Sequence, residues 1–320
     1  MSAVSPALSP ALRIGTRRSV LATTQSRLVA DLIRERLGRE VQLVEITTEG
    51  DVNDAPLATM GGTGVFVGAV RDALLAGSVD VAVHSLKDLP TQPAEGIALA
   101  AVPTREDPRD AVVARDGLTL GELPASSRIG TGSPRRAAQL EALGLGLEIR
   151  EIRGNVDTRI AKVRSGEYDA VVLALAGLVR LGRADEATEV LDPLQMLPAP
   201  GQGALAIECR SNDTELLSQL AGLEDPASRA AVSAERAVLA TLEAGCSAPV
   251  GAWAEVVEGE DGDELWIRAV ALSLDGGLSV RKSMTGEVGD AVGTGNRLAS
   301  EMLADGAADL MQAPVRKQQA

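Results

Sequence analysis

Residues 13–19, RIGTRRS, and residues 128–136, RIGTGSPRR, each place a strand, a Gly-Thr turn and a helix start in the same order. A second pair, DVAVHSL at 80–86 and DAVVLAL at 169–175, echoes this similarity at a later point of each half. Apolar runs that suit strands alternate with helical patterns around these segments, which is typical of α/β folds with mainly parallel sheets. The repetition predicts two α/β lobes of related topology, and chance similarity of two α/β units is the alternative.

The pattern changes after Asp225, which together with Pro226 is typical of a helix start. That helix is expected to run to about Glu243, and three strand-like segments and a final helix near residues 296–312 follow it. We therefore expect a third, α+β domain. The expected boundaries are 11–104 and 200–221 for the first lobe, 105–199 for the second, 222–313 for the third domain, and disordered tails at 1–10 and 314–320.

Length and composition narrow the class of protein. A chain of 320 residues exceeds what one hydrophobic core organises comfortably, so two or three domains are expected. No apolar run approaches the roughly 18 residues of a membrane helix and the N-terminus lacks a secretory pattern, so we expect a cytoplasmic protein that does not bind membranes. Two cysteines and one histidine provide neither a disulfide framework nor a His-cluster metal site, and the net charge of −14 disfavours nucleic acid as a partner.

Arginines stand at three expected helix starts, where the helix dipole disfavours a cation by about 0.3–1 kcal/mol. They are Arg17 and Arg18 before Ser19, Arg135 and Arg136 after Ser133, and Arg153 and Arg159 on either side of Gly154. Because guanidinium groups match carboxylates and phosphates with two parallel hydrogen bonds, the pattern predicts a ligand that carries several such groups. Surface arginines that pair with nearby acidic residues are the alternative.

The segment HSLKDLP, residues 84–90, sets polar side chains directly after an apolar strand. Asp88 beside Lys87 offers a carboxylate that can stabilise a cation developing on a substrate, which lowers a reaction barrier. A loop ion pair is the alternative for these two residues, and His84 taken alone favours a structural role. The Gly-rich segment GGTGVFVG, residues 61–68, matches no nucleotide-binding motif and predicts either a lid over a cleft or a plain turn.

The two cysteines have different expected environments. Cys246, in EAGCSAPVG, follows a helix end where neither the helix dipole nor a histidine would activate a thiolate. A protease-like nucleophile is therefore disfavoured, and a thiol that is modified once to serve as an anchor, or an inert loop cysteine, are the alternatives left. Cys209, in the alternating segment LAIEC, is expected to be buried.

Ten segments between about Leu12 and Gln312 together resemble the hydroxymethylbilane synthase (porphobilinogen deaminase) family. Any one of them is a weak signal, but their order and spacing are highly specific. They are RIGTRRSVLATTQ, EITTEGD, GGTGVFV, VDVAVHSLKDLP, REDPRDA, IGTGSPRR, IRGNVDTR, YDAVVLALAGLVRLG, PAPGQGALAIE and AERAVLATLEAGCSAPVG.

The resemblance implies a fold and an activity. The fold would be two lobes of type II periplasmic-binding-protein-like topology around a cleft, with a smaller C-terminal α+β domain. The activity would be that of a transferase that deaminates four porphobilinogen molecules and joins them head to tail on a covalently bound dipyrromethane primer. Hydrolysis would then release linear hydroxymethylbilane for tetrapyrrole and haem biosynthesis. A monomer with a small-molecule substrate is also implied.

The resemblance further implies roles for individual residues. Cys246 would hold the dipyrromethane by a thioether, and Asp88 would be the catalytic carboxylate that stabilises the azafulvene cation formed when ammonia leaves. The side chains and backbone expected to bind the cofactor are Ser85, Lys87, Asp88, Thr131, Ser133, Arg135, Arg136, Arg153, Gly154 and Arg159. Those expected to bind the substrate are Arg17, Ser19, Phe66, Arg153, Arg159 and Arg180.

The chain departs from the family pattern at three places. Thr63 and Val179 stand where lysine is frequent, and Gly132 stands where the family has serine.

Two rival functions remain as alternatives. One rival is a non-catalytic solute-binding-like protein for a polycarboxylate, which would explain two lobes but neither Cys246 nor a third domain. The other is a phosphate- or nucleotide-using transferase, disfavoured by the absence of a P-loop motif.

Overall fold

The computed structural model of the chain describes residues 10–47, 64–242, 248–260 and 262–312, without the side chains of residues 64–66 and 312. The strands are β1 Leu12–Arg17, β2 Val41–Ile46, β3 Val81–Ser85, β4 Ile97–Ala101, β5 Asp110–Ala114, β6 Arg128–Gly130, β7 Glu148–Arg150, β8 Ala170–Ala174, β9 Glu189–Val190, β10 Leu205–Arg210, β11 Val250–Gly259, β12 Gly262–Leu272 and β13 Ser279–Glu287. The helices are α1 Val20–Leu37, α2 Gly64–Leu75, α3 Pro134–Ala142, α4 Val156–Arg164, α5 Leu175–Arg180, α6 Thr214–Leu220, α7 Pro226–Thr241, α8 Ala291–Ala304 and α9 Ala307–Gln312.

Two five-stranded sheets have the same internal arrangement. The first has the order β2-β1-β3-β10-β4 and the second the order β7-β6-β8-β5-β9. In each sheet three neighbouring strands pair in parallel, and one further strand, β10 in the first sheet and β5 in the second, lies antiparallel between the third and the last. We refer to these sheets with their helices as the first and second lobes. The expected fold class of two similar α/β lobes is confirmed by this shared strand order.

The sheets are mixed, so the expectation of mainly parallel sheets is wrong. Each sheet contains two parallel and two antiparallel strand pairs. The inserted strand causes the difference: β10 enters the first sheet after the chain has passed through the second lobe, and it runs against both neighbours. Hydrophobic runs identify a buried strand but carry no information on its direction.

The predicted helix starts are capped as the sequence suggests. Ser19 accepts a hydrogen bond from the Ala22 amide, and the helix it opens, α1, ends at Gly38 in the left-handed conformation. Ser133 caps α3 with Pro134 at its first position. Asp225 caps α7 in the same way. These caps satisfy backbone N–H groups that would otherwise lack partners.

The C-terminal region is a three-stranded antiparallel sheet, β11-β12-β13, with helices on one face. Its core is aliphatic, with Leu265, Ile267 and Leu298 fully buried. The single final helix expected from the sequence is in fact two, because Gly306 adopts φ +89° and separates α8 from α9. The smaller C-terminal α+β region is confirmed, whereas the residue boundaries of all three domains stay predictions.

Cys209 is fully buried in the core of the first lobe, and burial raises the pKa of its thiol to about 11. The prediction of a packing role for this cysteine is confirmed. None of the described helices is both long enough and apolar enough to cross a membrane. In the described ranges there is also no group of three or more histidine, cysteine or acidic side chains placed to bind a metal ion.

Candidate active site

A small pocket of about 80 Å³ opens in the first lobe where β1 and β3 end against the start of α1. Its lining mixes polar and apolar side chains and comprises Arg17, Ser19, Leu21, Ala22, Gln25, Val67, Val83, His84, Ser85 and Asp88. Three of the predicted substrate and catalytic residues, Arg17, Ser19 and Asp88, are thus brought together. Carboxyl ends of strands are the usual binding edge of α/β sheets.

The Asp88 carboxylate is the group of this pocket that is available to a ligand. It lies in a short 3₁₀ turn that directly follows β3 and is partly exposed to the pocket. Within the described residues it has no hydrogen bond and no ion pair. A carboxylate held in a cleft with its oxygens uncommitted can accept hydrogen bonds from a ligand or stabilise a positive charge on it.

Ser85 is held in the pocket wall by Gln25, a residue that the sequence did not single out. The Gln25 amide donates to the Ser85 hydroxyl at 2.9 Å, and Gln25 is only 5% exposed. This bond joins helix α1 to the end of β3. The segment RIGTRRSVLATTQ ends on Gln25, so the residue was part of a quoted motif, but its inward direction from the first turns of α1 was not apparent.

The second lobe contributes a buried cluster around Asp110, the first residue of β5. Arg135 donates to one carboxylate oxygen at 2.8 Å, and Arg136 donates two hydrogen bonds to the other at 2.7 and 3.1 Å. Burial would raise the pKa of Asp110, but the two guanidinium charges and the hydrogen bonds from Arg136 and Gln202 outweigh it and hold the pKa far below its usual range. Asp110 therefore stays ionised and fixes both arginines.

Gln202 connects this cluster to the first lobe. Its side-chain amide donates to Asp110 at 2.8 Å, and its carbonyl oxygen accepts from the Lys87 ammonium at 3.1 Å. Gln202 is 1% exposed and lies in the segment PAPGQGA, where the chain returns to the first sheet. Lys87 and Arg136, predicted to bind one cofactor, are thus linked through two buried side chains.

Lys87, Arg136 and Arg159 form a group of cations with too little negative charge nearby. Burial, together with the charge of Arg136, lowers the pKa of Lys87 to about 8. Burial and, to a smaller extent, the charge of Arg136 also lower the pKa of Arg159, to about 10. Neither Lys87 nor Arg159 forms an ion pair with a described residue. A lowered pKa on a cation means that its charged form is destabilised, and an anionic ligand would relieve that.

Gly154 positions Arg159 through its backbone. The Gly154 carbonyl accepts from the Arg159 guanidinium at 2.9 Å, and Gly154 has φ +106°. A Cβ atom at this position would lie 2.8 Å from the Cβ of Thr158, so no other residue fits without moving the start of α4. Asn155 caps α4 by accepting from the Thr158 amide. The structure therefore explains why glycine stands at this position, and its role in cofactor binding stays a prediction.

The remaining predicted residues have different surroundings. Arg153 is exposed and pairs with Glu151 at 2.9 Å. Arg180 donates to the Gly203 carbonyl at 2.6 Å, and burial lowers its pKa. Thr131 is buried and accepts a hydrogen bond from the Ser133 amide, in the turn that opens α3. Cys246 and the side chain of Phe66 lie outside the described residues.

Asp110 and Gln202 are site residues that sequence reasoning missed. Asp110 lies in the quoted segment REDPRDA, where it opens the apolar run DAVVA, and Gln202 lies within the quoted PAPGQGALAIE. An aspartate that opens a strand of otherwise apolar residues is a signal for a buried, paired carboxylate. Its partners follow only from the fold.

Comparison with known proteins identifies the family. A sequence profile described as "Porphobilinogen deaminase, dipyromethane cofactor binding domain" matches residues 12–218, and one described as "Porphobilinogen deaminase, C-terminal domain" matches residues 229–304. "Porphobilinogen deaminase" of Mycobacterium tuberculosis is 59% identical over 305 residues, which cover 94% of this chain and 98% of that protein. "Porphobilinogen deaminase 1" of Streptomyces coelicolor is 58% identical over 310 residues, covering 94% and 97%.

Among solved structures, a periplasmic substrate-binding protein of an ABC transporter from Coxiella burnetii aligns with a TM-score of 0.43 at 15% identity, covering 67% of this chain and 92% of that one. The family rests on the sequence comparisons. Two profiles match most of the chain in the expected order, and the relatives align over nearly their whole length. The chain belongs to the porphobilinogen deaminase (hydroxymethylbilane synthase) family.

Proposed function

We propose that the chain is a hydroxymethylbilane synthase that deaminates four porphobilinogen molecules, joins them head to tail and releases the linear tetrapyrrole by hydrolysis. One observation supports this most directly. Lys87 and Arg159 are partly buried cations near Arg136, without ion-pair partners among the described residues, and Lys87 directly precedes Asp88, whose carboxylate is uncommitted. A substrate with carboxylates and a developing cation requires both kinds of group.

The dipyrromethane cofactor fits the residues present. The lowered pKa values of Lys87 and Arg159 indicate a site that lacks anionic charge, and the acetate and propionate groups of a dipyrromethane would supply it. We propose that the cofactor carboxylates are held by Ser85, Lys87, Thr131, Ser133, Arg135, Arg136, Arg153, Gly154 and Arg159. Cys246 would carry the thioether. When bound, the cofactor supplies the pyrrole α-carbon to which the first substrate unit is joined.

Arg135 and Arg136 have a twofold role in this proposal. Their contacts to Asp110 satisfy part of each guanidinium and keep the side chain from swinging away. The Nε atom of Arg135 is buried and makes no hydrogen bond with the described residues. A ligand carboxylate would therefore meet arginines whose positions are already set, which lowers the entropy cost of binding.

Asp88 performs the electrostatic part of the reaction. As the substrate's aminomethyl group loses ammonia, a positive charge develops on the pyrrole as an azafulvene. The Asp88 carboxylate, uncommitted within the described residues, would accept the pyrrole N–H and stabilise that charge. Its negative charge matters more than its shape, because the charge on the substrate grows only in the transition state.

The incoming substrate would use the other side of the pocket. We propose that Arg17, Ser19, Arg153, Arg159 and Arg180 bind its carboxylates and that Phe66 stacks against its ring. Arg17 and Ser19 line the Asp88 pocket. Thr63 and Val179 stand where the family has lysine, so in this chain the arginines would make the cationic contacts to the substrate carboxylates. Thr63 lies outside the described residues, and Val179 is 37% exposed beside Arg180.

We also propose that the chain acts as a monomer in the cytoplasm, with a small-molecule substrate and no nucleic-acid partner. The domain boundaries given above belong to the same proposal. The rival reading as a non-catalytic binding protein is not favoured, because the relatives that match 94% of the chain are named as deaminases.

The anchor is tested by the intact mass of protein purified after exposure to porphobilinogen. Wild type should exceed its sequence mass by two linked pyrrole units, and Cys246→Ser should lack the excess. Cys209→Ser is the matched control, because that thiol is fully buried in the first lobe and should leave the excess unchanged. Wild type without any excess would contradict the proposed cofactor and with it the proposed function.

A further inference from the structure

The only histidine of the chain belongs to a buried group of three polar residues next to the active site. His84 lies in β3, Glu208 in β10 and Arg71 in α2. Arg71 donates two hydrogen bonds to the Glu208 carboxylate, at 2.6 and 2.9 Å. The Nε2 atom of His84 lies 3.4 Å from the nearer Glu208 oxygen.

The strand register explains why these side chains meet. In the antiparallel pair of β3 and β10, His84 stands opposite Ala206 and Glu208 stands opposite Ala82. His84 and Glu208 are therefore diagonal neighbours on one face of the sheet. The Arg71 side chain reaches them from α2 across that face. His84 and Glu208 are 7% and 3% exposed, so water screens the group poorly.

The charge of this group is nearly balanced without His84. Burial would raise the pKa of Glu208, but the adjacent His84 and the hydrogen bonds and charge of Arg71 outweigh it and lower the pKa to about 2. Glu208 is thus an anion whose two oxygens are both bound by Arg71. The His84 Nε2 atom is buried and forms no hydrogen bond of normal geometry with a described residue.

His84 also lines the pocket that contains Asp88. The ionisable groups around it are Glu208 from β10 and Arg71 from α2, and Asp88 and Arg17 line the same pocket as His84. The imidazole therefore lies beside a fixed ion pair, in a residue that also lines the pocket of the reacting groups. A purely structural histidine would need only the first of these positions.

We propose that His84 is the proton carrier of the condensation: it accepts the proton that leaves the accepting pyrrole and passes it to the departing ammonia. The Arg71–Glu208 pair is the positioning group that orients His84, and Arg71 balances the Glu208 charge beside the imidazole. This inference rests on the proposed function and assigns a step within it.

Atoms and charges balance over one unit. The protonated aminomethyl group of the substrate loses neutral ammonia as its C–N bond breaks, and the electron pair leaves with the nitrogen. A C–C bond forms at the α-carbon of the accepting pyrrole, whose C–H electrons return to the ring as the proton leaves. Neutral His84 takes this proton and gives it to ammonia, which departs as ammonium. His84 ends neutral, as it began.

The first test is an NMR titration of the imidazole in untagged protein, where a single histidine makes the assignment unambiguous. In Arg71→Met, Glu208 keeps its negative charge but loses the arginine that balances it. The carboxylate then stabilises protonated His84, so the titration midpoint should move to higher pH by about one pH unit. Glu208→Gln removes the anion and should move the midpoint to lower pH. Arg71→Lys, which keeps the charge, should stay near wild type. Identical midpoints in all four proteins would overturn the assignment.

The second test is the pH profile of turnover, with cofactor loading checked by intact mass and folding by Tm. His84→Gln should lower kcat by about 10²-fold with little change in KM, and the loss of activity at acid pH should disappear. In Arg71→Met the acid limb should move upward with the NMR midpoint. A folded, loaded His84→Gln enzyme with the wild-type profile would refute the proposal.

Two safeguards keep the outcomes distinct. If His84→Gln does not fold, the Arg71→Met and Arg71→Lys pair still decides the matter, because neither variant alters the imidazole itself. An acid limb that fails to follow the midpoint in Arg71→Met contradicts the proton-carrier role. Failure of the proposed function would look different, since wild type would then carry no mass excess and release no ammonia from porphobilinogen.

Discussion

The two lobes have the same strand order but use their corresponding strand-to-helix turns differently. In the first lobe, Arg17 and Ser19 at the start of α1 line an open pocket with Asp88. In the second lobe, Arg135 and Arg136 at the start of α3 turn inward and bind the buried Asp110. One topology therefore supports an uncommitted carboxylate in one lobe and a fixed set of cations in the other.

The difference has a physical cause. An arginine in the first turn of a helix opposes the helix dipole by about 0.3–1 kcal/mol. In the second lobe Asp110 offsets this, because a fully buried carboxylate attracts both guanidinium groups in a medium that screens weakly. Arg159, in the first turns of α4, has no such partner among the described residues, and this is where we expect a ligand carboxylate. The second lobe thus contains cations fixed by a protein carboxylate and a cation that has no such partner among the described residues.

The largest expected effect is in the first lobe. Asp88→Asn keeps the side-chain shape but removes the charge that faces the developing cation, so turnover should fall by about 10²–10³-fold. Fold and cofactor loading should remain, as checked by circular dichroism and intact mass. Asp72→Asn, an exposed change on α2, is the matched control. Near-normal turnover of Asp88→Asn would remove this carboxylate from the mechanism.

The second lobe should respond in stability. Arg136→Leu removes two hydrogen bonds to Asp110 and leaves a buried carboxylate with one arginine, so the free energy of unfolding should fall by about 3 kcal/mol. Denaturant unfolding followed by circular dichroism measures this. We expect Arg135→Leu to be destabilising too and to impair cofactor assembly. A stable, normally loaded Arg136→Leu protein would show that Asp110 does not depend on this arginine.

Arg159→Leu should show the opposite pattern and a smaller effect. Because no described carboxylate pairs with Arg159, its removal should not lower the free energy of unfolding. Cofactor loading should instead slow by about tenfold, which corresponds to about 1.4 kcal/mol of lost carboxylate binding. Arg27→Leu, on the exposed side of α1, provides the control. A loss of stability as large as that of Arg136→Leu would place Arg159 among the structural cations.

The smallest effect is a pH dependence that comes from Lys87. Its pKa is about 8 in the folded apo chain and 10.5 when exposed, so the unfolded chain binds more protons between these values. The cost of burying the charged ammonium is therefore fully present below about pH 8 and is relieved as the pH rises towards 10.5. Lys87→Met should lack this rise in unfolding free energy. Parallel curves for the two proteins would mean that Lys87 is not destabilised as an isolated cation.

Much of the local structure could be predicted from the sequence, and the failures have identifiable causes. The caps at Ser19, Ser133 and Asp225 were read from residue type and spacing, because capping depends on neighbours a few positions away. The segment GGTGVFVG was expected to be a loop throughout, yet α2 already begins at Gly64. Glycine's low helix propensity misleads where tertiary packing supports the helix.

The sequence showed which segments contribute to the site more readily than it showed how their side chains are arranged there. The quoted motifs contained Gln25, Asp110 and Gln202, but nothing in them showed what these residues do. Gln25 holds Ser85 in place, Asp110 holds Arg136, and Gln202 holds Lys87. The structure connects Gln202 to Asp110 across 92 positions of sequence and Arg136 to Asp110 across 26. Arg153 and Arg159 were predicted from the same evidence, but Arg153 is exposed and pairs with Glu151.

The sequence by itself determined the elements, their caps, the excess of arginine at helix starts and, through its motifs, the family. These properties depend on residue type and short-range spacing. Only the tertiary structure decided which arginines are neutralised and which charges stay uncommitted. That decision depends on where the returning strand β10 and the segment around Gln202 bring distant side chains, and on burial, which strengthens every charge interaction they make.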